Sequence, residues 1–154
     1  MSVTADTGRT ITPTSSDDGR PAVVLHTAEI TPRQRGGGAR TVPLVSQQVG
    51  AKDFLNGITM FAPGSAIPEH IHNCDESVLI IKGSAVAHID GTQYPVTVGD
   101  NSFIPAGIAH FFHNTSETDE LHIFWTYASV DATRTVIATG VTTRIDEEHG
   151  TNLT

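Results

Sequence analysis

Short apolar runs separated by turn-forming residues dominate the sequence from Thr41 to about Tyr127. The runs are rich in Val, Ile, Thr and Phe, and no long window repeats apolar residues at helical spacing. Within this region Asp90-Gly91 separates two such runs, which is a strong signal for a tight β-hairpin. About eight to ten short strands with such even spacing are typical of a β-sandwich or barrel. The sequence therefore predicts an all-β fold.

The length and the apolar content indicate one domain. A chain of 154 residues with 38% apolar residues can fill one hydrophobic core. We expect residues 1–20, which are polar, to form a flexible N-terminal arm, and residues 22–26 to add an edge strand. Residues 21–140 are assigned to the barrel domain. Residues 141–154 are assigned to a C-terminal tail whose acidic side chains are expected to be solvated.

Charge and cysteine content restrict partners and location. The formal charge of −8 and a pI near 5.3 argue against nucleic acid and against an anionic membrane surface. Cys74 is the single cysteine, so an internal disulfide is impossible and a reducing compartment is indicated. No apolar segment approaches the roughly 20 residues of a membrane-spanning helix, and the N-terminus does not resemble a signal peptide. We expect a cytoplasmic protein.

The first chemically informative segment contains His70, His72 and Glu76. Side chains alternate with period two along a strand, so His70 and His72 would project from the same face. Residues 73–75 are predicted to form a tight turn, after which Glu76 opens the returning strand beside His72. Three potential ligands would then converge from one hairpin.

The second segment delivers a third histidine. Pro105 and Gly107 are predicted to form a turn that places His110 on the next strand. Three imidazoles and one carboxylate are a suitable ligand set for a divalent transition metal ion. Zinc with four protein ligands is usually closed and structural, whereas Fe, Mn, Ni or Co would keep two positions open. We therefore expect one such ion rather than zinc, held by His70, His72, Glu76 and His110.

Together the two segments resemble the two signature motifs of the cupin superfamily. The first family pattern is Gly, five residues, His-x-His, three or four residues, Glu, six residues, Gly, and it is matched by Gly64, His70, His72, Glu76 and Gly83. The second is Gly, five residues, Pro-x-Gly, two residues, His, three residues, Asn, and it is matched by Gly99, Pro105, Gly107, His110 and Asn114. The resemblance covers residues 42–128.

This resemblance implies a jelly-roll β-barrel with the metal in its mouth, often in a homodimer. It does not imply a reaction, because cupins include dioxygenases, decarboxylases, isomerases, hydrolases, lyases and plain binding proteins. A homodimer is also expected because barrels of this size often cover an edge strand with a partner.

Seven further side chains are predicted to line a substrate pocket: His88, Phe103, Phe112, His122, Thr126, Arg35 and Arg40. His88 and His122 would be usable acids or bases if they faced the cavity. Arg35, Arg40 and the neighbouring Arg33 flank three consecutive glycines. That segment is either a flexible surface loop or an arginine lid over an anionic ligand.

The leading functional hypothesis is a metal-dependent enzyme that acts on a small diketone, enol or keto acid bound to the ion. Dioxygenation is favoured because several oxygen-using cupins share the three-histidine, one-glutamate set. Glu76 would serve as a ligand and, if displaced, as a base. The alternatives are a non-redox lyase, isomerase or decarboxylase, and a metal-dependent binding or sensing protein without turnover.

Overall fold

The computed structural model describes residues 8–13 and 16–148. Fourteen β-strands lie within these residues, together with 3₁₀ turns at Thr27–Glu29 and Gln47–Val49 and a short helix α1 at Ile145–Glu148. The strands are β1 (Arg9–Ile11), β2 (Val23–Leu25), β3 (Arg33–Gly36), β4 (Ala39–Pro43), β5 (Leu55–Phe61), β6 (His70–His72), β7 (Glu76–Lys82), β8 (Ser84–Ile89), β9 (Thr92–Thr97), β10 (Asn101–Ile104), β11 (His110–His113), β12 (Leu121–Tyr127), β13 (Thr133–Val136) and β14 (Thr142–Arg144).

Two six-stranded antiparallel sheets form the body of the fold. The first sheet has the order β10-β7-β12-β5-β4-β3, and the second sheet has the order β14-β13-β6-β11-β8-β9. From β5 to β8 and again from β9 to β13, each successive strand crosses to the opposite sheet. This connectivity is that of a jelly roll, and the all-β prediction is confirmed.

The core lies between the sheets because buried and less buried residues alternate along the central strands. Every second residue of β5 and of β12 is buried, from Leu55 to Phe61 and from Leu121 to Tyr127. Gly57 is required in β5, since a Cβ atom there would lie 2.5 Å from a ring carbon of Trp125. The inward face of β12 therefore carries large apolar side chains, and its outward face carries the intervening residues.

The predicted hairpin at Asp90-Gly91 is confirmed. It joins β8 to β9 with Ile89 paired to Thr92. Asp90 and Gly91 have φ angles of 51° and 79°. Positive φ at both central residues is the requirement of a type I′ turn, which matches the twist of the flanking strands.

Three segments differ from the sequence-based picture. The Arg33–Arg40 region, interpreted as a loop or lid, is a β-hairpin of β3 and β4 at the edge of the first sheet. Within the expected arm, β1 pairs with β2, while residues 1–7, 14 and 15 lie outside the described residues. In the expected tail, β14 pairs with β13 and Ile145 is buried, so this segment packs on the barrel.

Candidate metal centre

Three histidines converge between the two sheets. The ligand atoms that His70, His72 and His110 offer lie within 4.8 Å of one another, and all three side chains are buried. Their ring centroids are 4.5–5.1 Å apart. Such a cluster can hold a metal ion, because neutral imidazole is a common ligand of divalent transition metals.

Strand geometry explains the convergence. His70 and His72 alternate with Ile71 along β6, so both point to the interior. His110 opens β11 and is paired with His70 across the second sheet. The prediction that His70 and His72 share one face is confirmed.

Glu76 reaches the cluster from the opposite side. It opens β7 in the first sheet, where it is paired with Tyr127 of β12. The expectation of a single hairpin was therefore wrong: residues 73–75 carry the chain from one sheet to the other, and β6 and β7 are not paired. The carboxylate faces the histidines across the sandwich because both sheets direct alternate side chains into the space between them.

Backbone carbonyls fix the orientation of the three imidazoles. The Nδ1 atoms of His70, His72 and His110 lie 2.6, 2.8 and 2.8 Å from the carbonyl oxygens of Pro68, Thr133 and Ile108, respectively. A carbonyl only accepts a hydrogen bond, so each Nδ1 carries the proton and donates it. Each Nε2 is then left with a lone pair, as in metal-binding histidines whose other ring nitrogen donates a hydrogen bond to the protein.

Glu76 places an anion against two of these lone pairs. Its Oε2 atom lies 2.8 Å from His110 Nε2 and 3.2 Å from His72 Nε2. His72 Nε2 is buried, and no described residue supplies it with a hydrogen bond. Lone pairs and a carboxylate at these distances repel one another unless a cation lies among them. The donor set therefore fits a metal ion.

The protonation states agree with this arrangement. Burial lowers the pKa of His70 to about 2, with further lowering by the charge of Arg134 and by the other two imidazoles. Burial alone would raise the pKa of Glu76, but the nearby His110 and His72 outweigh it and hold the pKa below its usual range. A neutral imidazole and an ionised carboxylate are the forms that bind metal.

Asn114, the last residue of the second motif, has a structural role. Its buried Nδ2 group donates to the carbonyl oxygens of Phe61, Ala62 and Asp119 at 3.1, 3.1 and 2.8 Å. These bonds tie the segment after β11 to the end of β5. The motif residues thus divide into those that face the cluster and those that position strands.

Of the predicted pocket residues, Phe112 and Arg35 lie inside the barrel. Phe112 is buried on the same face of β11 as His110. Arg35 extends inward from the irregular β3–β4 pairing and contacts Thr41, which is fully buried.

The other five predicted pocket residues are not brought to the cluster. His88 stacks on Phe111 at 4.1 Å on the outer face of the second sheet. Phe103 is 66% exposed. The remaining three are His122, Thr126 and Arg40, which lie on the outer face of the first sheet. Their neighbours along the strands are buried and point to the inner face. Arg40 and His122 both contact Glu120 there.

Sequence reasoning missed Arg134 and Glu148. Arg134 is buried on β13 and is paired with His72 across the second sheet. Glu148 of α1 accepts hydrogen bonds from Arg35 and Arg134. The alternation of side chains along a strand could have indicated the burial of Arg134, because Ala132, Arg134 and Val136 share one face of an extended segment.

Comparison with known proteins agrees with the geometry. A family model described as a cupin domain matches residues 57–127. Polyketide synthase CurC of Streptomyces cyaneus is 34% identical over 110 residues, which cover 70% of this chain and 70% of CurC. The chain belongs to the cupin superfamily. The sequence-based resemblance is therefore confirmed.

Solved structures show the same fold. A protein from Thermotoga maritima, described as a predicted oxalate decarboxylase, superposes with a TM-score of 0.62 at 29% identity, covering 69% of this cupin and 98% of that chain. The polyketide cyclase RemF from Streptomyces resistomycificus superposes with a TM-score of 0.64 at 17% identity, covering 79% of this cupin and 83% of RemF. None of the described helices is long and apolar enough to cross a membrane.

Proposed function

We propose that this cupin is a metal-dependent enzyme that acts on an enolisable β-dicarbonyl compound of the polyketide type. One divalent transition metal ion would be held by His70, His72, His110 and Glu76. The observation that carries the proposal is that three buried Nε2 lone pairs converge, two of them beside the carboxylate of Glu76, while every Nδ1 donates to a backbone carbonyl.

The ion would supply Lewis acidity, which stabilises negative charge on a carbonyl oxygen when a neighbouring C–H bond loses its proton. The protein supplies a dry, oriented surrounding. Tyr127 packs its ring edge-on to His72 at 4.6 Å, and burial, followed by the charge of Glu76, raises its pKa above the usual range. Its phenol therefore stays protonated. Glu76 is the ionised carboxylate available to accept a proton if it leaves the metal.

The choice of reaction class rests on CurC. CurC is named a polyketide synthase. Polyketide chains carry repeated β-ketone groups, and the carbon between two ketones can lose a proton and form a new carbon–carbon bond without an oxidant. This observation favours the non-redox alternative. Dioxygenation, which the shared ligand set favoured at first, stays a prediction that anaerobic measurements address.

The test is proton exchange under nitrogen. Ethyl 2-methylacetoacetate in D₂O exchanges its α-proton slowly, and proton NMR follows the loss of the signal. Metal-loaded wild type should accelerate this exchange, and the His72→Ala variant should not, because the variant lacks a ligand. His88→Ala is the matched control, since His88 lies on the outer face.

The two reaction classes give different results. Unchanged exchange by the metal-loaded protein would contradict the proposal. Substrate-dependent oxygen consumption without accelerated exchange would instead support a dioxygenase.

A further inference from the structure

A second polar cluster lies inside the barrel and holds a carboxylate. Glu148 Oε2 accepts hydrogen bonds from Arg35 Nη2, at 3.0 Å, and from Arg134 Nη1, while Thr143 Oγ1 donates to Glu148 Oε1. The arginine side chains are only 10% and 5% exposed, and that of Glu148 is 17% exposed. We call this group of Arg35, Arg134 and Thr143 the arginine cradle.

The arginine cradle is adjacent to the histidine cluster. Arg134 is paired with His72 across β13 and β6, and both side chains are buried on the inner face of the second sheet. Directly opposed residues of an antiparallel pair have Cβ atoms about 5 Å apart. A molecule seated at the histidines can therefore extend to Arg134.

One donor of the cradle has no acceptor among the described residues. Arg134 Nε is buried, and no described residue accepts a hydrogen bond from it. Buried donors are nearly always paired, so an orphaned guanidinium N–H indicates a missing acceptor. Both guanidinium groups of the cradle form ion pairs with the carboxylate of Glu148.

The position of Arg35 is held by a chain of hydroxyl groups. Arg35 Nη1 lies 3.4 Å from Thr41 Oγ1, Thr41 Oγ1 lies 2.9 Å from Thr59 Oγ1, and Trp125 Nε1 donates to Thr59 Oγ1 at 2.9 Å. Thr41 and Thr59 are buried. Burial lowers the pKa of Arg35 to about 10, which leaves the side chain cationic at neutral pH. The guanidinium is thus fixed before any ligand arrives.

We propose that Arg35 and Arg134 form an anion subsite that binds a carboxylate of the substrate, and that Glu148 occupies this subsite until the substrate enters. Two forked guanidinium groups match the planar geometry of a carboxylate. Because it deepens the substrate class, the proposal rests on the proposed function. It specifies a β-dicarbonyl compound that also carries a free acid, with the dicarbonyl at the histidine cluster and the acid at the cradle.

Glu148 is suited to being displaced. It lies at the end of α1, whose only buried side chain among the described residues is that of Ile145. Reorientation of the Glu148 side chain would release the carboxylate while Ile145 stays in the core.

The first experiment replaces the internal carboxylate with one from solution. Glu148→Ala should lower the unfolding temperature of the metal-free full chain, because two buried cations lose their counterion. Formate should restore several degrees of this loss, whereas chloride at equal ionic strength should not. The Glu148→Ala, Arg134→Gln double variant should show no formate response. A formate response equal to that of chloride would overturn the subsite.

The second experiment measures binding to the metal-loaded chain by calorimetry. The probes are succinylacetone, a β-diketone with a carboxylate at its far end, and its methyl ester. Wild type should bind the acid at least about tenfold more tightly than the ester, as expected for charge-assisted hydrogen bonds. Arg35→Gln and Arg134→Gln should each abolish this ratio. Arg134→Lys retains the positive charge but not the paired N–H donors of a guanidinium, so it should give an intermediate ratio. This variant tests the subsite if Arg134→Gln does not fold.

Arg40→Gln is the matched control, because Arg40 pairs with Glu120 on the outer face and should keep the full ratio. Equal binding of acid and ester by wild type would refute the subsite alone. Failure of both probes to bind the metal-loaded protein would contradict the proposed function instead.

Discussion

Replacement of Asn114 by alanine isolates the structural part of the second motif. The side chain is 1% exposed, and its Nδ2 group lies within hydrogen-bonding distance of three carbonyl oxygens. Its Oδ1 atom accepts from the backbone N–H of Ser116 at 3.1 Å. One amide group has two hydrogens, so at most two of the three carbonyl contacts are at full strength. Together with the bond from Ser116, about three net hydrogen bonds are lost.

At about 1 kcal/mol for each net hydrogen bond, plus the cost of leaving buried carbonyls unpaired, Asn114→Ala should lower the free energy of unfolding by roughly 2–4 kcal/mol. That is a large share of the roughly 5–15 kcal/mol typical of a domain. Trp125 is the single tryptophan and is buried, so its fluorescence reports unfolding in urea.

Asn101→Ala is the matched control, because Asn101 is exposed and accepts one hydrogen bond, from Ser77 Oγ at 3.0 Å. This change should lower the free energy of unfolding by less than about 0.5 kcal/mol. A loss below about 1 kcal/mol for Asn114→Ala would refute the structural role assigned to this motif residue.

Two further predictions concern pH and assembly. Hydrogen bonds from Arg40 and from His122 lower the pKa of Glu120 from 4.5 to about 2. The ionised Glu120 carboxylate and its partners should therefore stabilise the fold above pH 4.5, and this stabilisation should be lost as the pH falls towards 2. The side chains of Arg40 and Glu120 are about a third exposed, so solvent screens their interaction. The free energies of unfolding of wild type and Glu120→Gln, measured in urea, should therefore differ by under about 1 kcal/mol at pH 7 and by less at pH 3. A difference that grew on acidification would contradict the assigned pKa. We also expect a homodimer, because no described strand pairs with the outer edges of β3, β9, β10 and β14. Light scattering at micromolar concentration that gave only the 16.4 kDa monomer would refute this.

The histidine cluster could be predicted from sequence because the spacing of its histidines brings the side chains together in only one type of secondary structure. A His-x-His pair places both rings on one face only in a strand, and Pro105 and Gly107 position the next strand. The Asp90-Gly91 turn could be predicted for a similar reason, since few other residues tolerate two positive φ angles. Local chemistry determines these features.

Which face of a strand is buried was harder to predict. In β12, Leu121, Ile123, Trp125 and Tyr127 share one parity and outweigh the single Phe124 on the other, so His122 and Thr126 should have been assigned outward. In β8 the inner face is formed by Ala85, Ala87 and Ile89, and the two small alanines weaken its apolar signal relative to Val86 on the outer face. The outward position of His88 therefore depends on pairing with β11, which is a long-range contact.

The arginine cradle could not be predicted because it joins distant segments. Arg35 and Glu148 are 113 residues apart in sequence, and each looks like an ordinary surface charge in its local context. Their burial becomes apparent only when β3 and the segment after β14 close on the barrel. The motifs cover neither segment, so no spacing rule applied.

The metal content of the purified chain tests the central claim most directly. Elemental analysis of wild type and of His88→Ala should find about one divalent transition metal ion per chain, with Fe, Mn, Ni or Co expected over Zn. His72→Ala should lose stoichiometric metal while its β-sheet circular dichroism is retained, because Glu76 and the other two histidines would then form an incomplete ligand set. A wild type that neither carries nor takes up a divalent ion, or a His72→Ala variant that retains a full complement, would contradict the account.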